Sequence, residues 1–63
     1  MNIMTKRGSE DNAVTYEHYC DTLADRNNID PRYITLGSVC VVINGASGVE
    51  LYIADSNKQW VLI

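Results

Sequence analysis

His18 stands beside Glu17, Cys20 and Asp21, and this is where the chain gathers the side chains best able to do chemistry. A histidine with a cysteine two residues on is the raw material of a thiolate–imidazole nucleophile, or of half a metal site. On a strand the two would share a face, about 6–7 Å apart. The chain holds 1 His, however, and one His–Cys pair leaves a tetrahedral metal two ligands short. A packed strand histidine near a carboxylate is the better reading. Asp21, Asp25 and Asp30 lack the alternating ligands and central glycine of a calcium loop, and capping and turn roles explain them. Gly45 to Gly48 is not a phosphate loop, because no Lys-Ser or Lys-Thr follows it and it leads into a strand pattern. No catalytic residue, metal ligand or cofactor is expected, and the chain reads as a non-enzyme.

The elements around these residues are legible from their spacing. Ala13 to Cys20 is rich in β-branched and aromatic types. As a strand, the favoured reading, it places Val14, Tyr16, His18 and Cys20 on one face, with Thr15, Glu17 and Tyr19 on the other; a helix is the rival, since Tyr16, Tyr19 and Cys20 share i, i+3, i+4 spacing. Asp21 or Thr22 can cap a short helical turn through Leu23 to Arg26, and Asp30-Pro31 ends anything helical. Arg32 to Leu36 reads as a connector.

From Gly37 onward three apolar runs alternate with two turn clusters, the pattern of a three-stranded antiparallel meander. Its strands are Ser38–Ile43, Val49–Ala54 and Gln59–Ile63. Asn44-Gly45 predicts a type I′ hairpin turn, with a bulge allowed at Gly48, and Asp55 to Lys58 predicts the second turn. The fold class expected is all-β: three C-terminal strands plus an N-terminal strand, forming a compact sheet or partly open barrel. Residues 1–12 are expected as a flexible or docking arm, and 13–63 as a single small domain.

Two of the meander strands are apolar on both sides, although a sheet with one wet face should alternate apolar with polar. Either the N-terminal segment covers the second face or a partner chain does. Tyr16, Tyr52, Trp60 and Ile63 are the candidate interface residues. Trp60 has a competing role as a plug of the small core, and Ile63 ends a strand suited to an exposed edge.

Bulk properties narrow the choices. A chain of 63 residues buries only about 60% of its unfolded surface, so outside support is expected. Cys20 and Cys40 are too few for a disulfide framework; buried free thiols in a reducing cytoplasm are expected, with a bridge as the alternative. Met1 to Met4 is too short and polar for a targeting segment, and no run reaches the roughly 20 apolar residues of a bilayer span. The formal charge is -3, and Lys6, Arg7, Arg26, Arg32 and Lys58 are scattered. Neither nucleic acid nor membrane is an expected partner.

Several segments carry a family resemblance: Thr5-Lys6-Arg7-Gly8, Val14 to His18, Cys20-Asp21-Thr22, Ile29 to Tyr33, Leu36 to Cys40, and Ala54 to Trp60. Over nearly the whole chain they resemble a group of short virion structural proteins encoded by tailed phages and prophages of Firmicutes. That resemblance implies a protein made in the host bacterial cytoplasm and located in the virion. It most readily implies a capsid decoration or cement protein, whose partners would be the major capsid protein, other virion proteins and copies of itself. The alternatives are a tail, connector or baseplate accessory, or a non-virion phage protein that binds a host factor. The resemblance brings no catalytic residues with it.

Overall fold

The computed structural model describes residues 2–8 and 14–63. Five strands form one open mixed sheet, in the spatial order of their sequence: β1 (Asn2–Arg7), β2 (Thr15–Thr22), β3 (Val39–Gly45), β4 (Gly48–Ala54) and β5 (Trp60–Leu62). Between β2 and β3 the chain passes through a one-turn helix, α1 (Leu23–Asn27), and a 3-10 turn at Pro31–Tyr33.

The all-β expectation holds, and β3, β4 and β5 are the antiparallel meander. The N-terminal strand joins it differently from a simple meander. β2 runs parallel to β3, with His18 opposite Cys40 and Cys20 opposite Val42. A parallel neighbour needs a crossover of a dozen or more residues, and the segment from Leu23 to Ser38 supplies one. The sheet is not closed into a barrel.

Residues 2–7, the first half of the segment expected as an arm, form β1 and pair antiparallel with β2 from Asn2–Cys20 to Arg7–Thr15. Residues 9–12 of that segment lie outside the described residues. The hairpin turn also moves. Gly45 pairs with Gly48, so Ala46 and Ser47 are its central residues rather than Asn44 and Gly45. The physical reason is that Gly48, at φ 96°, takes the left-handed conformation. The extra residue is absorbed as a register shift between Val42 and Gly45.

Local signals explain the crossover. Thr22 Oγ1 accepts from the Asp25 backbone N–H and the Asp25 carboxylate accepts from the Thr22 N–H, a reciprocal capping box. Asp30 caps the 3-10 turn by accepting from Arg32 N at 3.0 Å. The crossover then lays Leu23, Ile29, Tyr33 and Ile34 on one face of the sheet. There they pack with Cys20, Cys40, Val42, Tyr52, Ala54 and Trp60.

Ser38 ties the crossover to the sheet. Fully buried, its Oγ accepts from the backbone N–H groups of Tyr16 and Thr35, each at 3.1 Å, and bonds Thr35 Oγ1 at 2.9 Å. Thr35 Oγ1 in turn donates to the Val14 carbonyl at 2.5 Å. One serine therefore joins β2, the crossover and β3 at the point where parallel pairing begins.

Candidate functional site

The covered face holds His18 and Cys20 of the groups that looked able to do chemistry, together with Cys40, and each of the three is committed to packing. His18 is 1% exposed. Its Nε2 donates to the Tyr33 carbonyl at 2.7 Å, and its Nδ1 accepts from Asn2 Nδ2 at 3.4 Å. Its ring meets Trp60 edge-on at 6.0 Å between centroids. Cys20 and Cys40 are buried, with their Sγ atoms 3.7 Å apart in a thiol–thiol hydrogen bond. Burial pushes Cys40 up to about 12, aided by the bond from Cys20, and burial likewise raises Cys20. Both thiols are therefore neutral and poorly nucleophilic near neutral pH.

Glu17 points to the opposite face from His18 and pairs with Arg7 at 2.6 Å. Asp30 pairs with Arg32 at 2.9 Å, which holds its carboxyl below the usual range. The described residues contain no group of three or more His, Cys, Asp or Glu side chains able to hold a metal ion, and no pocket. No helix among them is long and apolar enough to cross a membrane.

The interface candidates are split by the fold. Tyr52 is 7% exposed on the covered face; its hydroxyl donates to Glu50 Oε1 at 2.6 Å, and Arg26 lies over its ring at 4.6 Å. That bond to Glu50 also raises the Tyr52 hydroxyl pKa. Tyr16 is half-buried on the same face and stacks edge-on with Tyr33 at 5.6 Å. Trp60 is half-buried against the core. Ile63 is exposed at the chain's last position, its N–H donating to Leu51 O at 2.8 Å.

Among the described residues nothing covers the opposite face of the sheet. The pairing registers align Ile3, Tyr19, Val41 and Leu51 in one row across β1 to β4, and the Ile63–Leu51 bond extends it to the chain end. A second row runs Thr5, Glu17, Val39, Ile53, Val61 across all five strands. Ile3, Tyr19, Leu51, Ile53 and Val61 are between 40% and 55% exposed. The doubled apolar pattern of the strands signalled this face, but none of these five residues was among the candidate interface residues.

Among the described residues both outer edges are open as well. In an antiparallel strand both backbone groups of one residue point the same way, alternating along the strand. Ile63 N–H points toward β4, so Val61 does too, and the backbone groups of Trp60 and Leu62 face outward. Tyr16 N–H points toward Ser38, away from β1. By the same alternation Met4 and Lys6, which lie opposite His18 and Tyr16, turn their backbone groups to the outer edge of β1. Unpaired edges of this kind accept a further strand.

Comparison of the chain with protein-family models, with curated proteins and with solved structures finds no match.

Proposed function

We propose that this protein is a structural component of a tailed-phage virion, a capsid decoration or cement protein that docks on the assembled head. The observation that carries the reading is a sheet with one apolar face and both edges left open. The resemblance of its segments to small phage structural proteins supports the same reading, as does the commitment of His18, Cys20 and Cys40 to packing.

Docking proceeds through the edges. The outward backbone groups of Trp60 and Leu62 on β5, or those of Met4 and Lys6 on β1, take up a strand of the major capsid protein. Affinity comes from main-chain hydrogen bonds. Repetition over a shell supplies strength by avidity, since many weak contacts act together.

Leu62→Pro tests the mechanism. Proline removes the outward N–H at Leu62 and leaves the inward bonds of Val61 and Ile63 to β4 in place, and edge strands tolerate it. Purified protein is added to phage particles prepared without it, and bound protein is measured against concentration. Wild type should bind, and Leu62→Pro should bind about tenfold or more weakly with an unchanged far-UV CD spectrum. Equal binding by the two proteins would eliminate the β5 edge as the docking element.

A further inference from the structure

We infer that the bare face of the sheet is a self-association surface, on which a second copy of this chain packs face to face to make a two-layer β-sandwich about a two-fold axis. The inference stands on the sheet alone and holds whether or not the protein resides in virions. Four features select a second copy as the occupant.

The first is size. Five strands about 4.8 Å apart, with the two rows and the exposed Ile43 and Val49 beyond them in play, give a footprint of roughly 20 × 20 Å; side-chain relief brings the accessible area to roughly 600 Å² per copy. Two copies would bury about 1,200 Å², which reaches the lower bound of stable specific interfaces.

The second is shape. The face presents two rows of mostly Ile, Val, Leu and Tyr side chains, with Thr5 and Glu17 at the β1–β2 end, and the described residues offer no pocket for a protruding anchor or a small ligand. The surface that best fits a flat twisted sheet face is another such face, packed about 10 Å away with strands within about 30°.

The third is charge. The chain carries a net -3, which discourages association in general. On this face, however, Arg7 and Glu17 neutralise each other at the β1–β2 margin, Asp21 lies at its exposed end beyond the Tyr19 row, and Val39, Val41, Leu51, Ile53 and Val61 carry no charge at its centre. Two copies can therefore meet there without like charges being buried.

The fourth is economy of the core. The described residues bury seven apolar side chains between the covered face and the crossover. A second layer on the bare face would give the residues of β3 and β4 cover on both sides, matching their two-sided apolar pattern.

The test is sedimentation equilibrium of the full chain from about 1 μM to 1 mM, a span over which self-associations of ordinary strength resolve. The expected species is twice the 7.1 kDa monomer mass. Leu51→Lys, which places charge at the centre of the face, should raise the dimer dissociation constant about 100-fold or more. Should Leu51→Lys fail to fold, the doubly substituted Leu51→Thr, Ile53→Thr protein keeps β-formers at both positions and should weaken the dimer in the same direction. Leu62→Pro should leave the dimer intact, because it alters the β5 edge and not the face. Three results would each overturn the inference: a wild-type chain still monomeric at 1 mM, a dimer unaffected by folded Leu51→Lys, or a dimer abolished by Leu62→Pro. The first would assign the face to a different partner and the last would place association at the edge. None of these outcomes depends on particle binding.

Discussion

Replacing His18 with alanine should remove a third or more of the stability of this fold. The ring is fully buried, its Nε2 donates to the Tyr33 carbonyl at 2.7 Å, and it stacks edge-on with Trp60. Alanine leaves a cavity the size of an aromatic ring and takes away that carbonyl's donor. Together these should cost about 3 kcal/mol. A domain of this length has a total of only about 3–9 kcal/mol. Urea unfolding followed by Trp60 fluorescence measures the change. His18→Phe separates the two contributions, because it restores the volume without the hydrogen bond and should recover most of the loss if packing dominates. A change below about 0.5 kcal/mol for His18→Ala would mean that the histidine is not a structural residue.

Alkaline pH should unfold the chain through its thiols. Burial raises Cys40 to about 12, whereas an unfolded cysteine titrates near about 8.5. Between those values the unfolded state gives up a proton that the folded state retains. The unfolded state then binds fewer protons, and stability falls as pH rises. The contribution is complete below about pH 8.5 and is lost progressively toward about pH 12, at up to about 1.4 kcal/mol per pH unit. Cys20 is shifted in the same direction by burial, and Tyr52 by its bond to Glu50, so their effects add in sign. The measurement is the urea midpoint of wild type and Cys40→Ala from pH 7 to 11. The wild-type midpoint should fall more steeply above pH 8.5, and the difference between the two curves isolates Cys40. Parallel curves would refute the linkage.

Much of this architecture was legible because each C-terminal strand is bounded by its own turn residues and has an apolar set at period two. Val42, Tyr52 and Ala54 fall on the covered face together with Cys20, Cys40 and His18, as the alternation required. A helix cap at Asp21 or Thr22 was legible from residue types; the structure selects Thr22 and adds the reciprocal bond from Asp25. The parallel pairing of β2 and β3 was not, because strand direction depends on how the connector returns to the sheet. Its anchor, Ser38, looks like an ordinary turn residue in sequence. β1 was hidden for a related reason. Every one of its side chains is exposed, so it needs no apolar alternation to be a strand.

The candidate surface was half legible. The two-sided apolar pattern announced a face in need of cover. Parity cannot say which face the crossover takes, and it took the one bearing Tyr16 and Tyr52. The rows through Tyr19, Leu51, Ile53 and Val61 were left exposed.

Virion composition bears most directly on the central claim that this chain is a structural part of a phage particle. Purified virions of a phage that carries this gene, digested and quantified by mass spectrometry against the major capsid protein, give the copy number. The account predicts a near-equimolar ratio, as a decoration protein on the shell requires. A minor stoichiometry would move it to the neck or tail, and its absence from the particle would contradict the account.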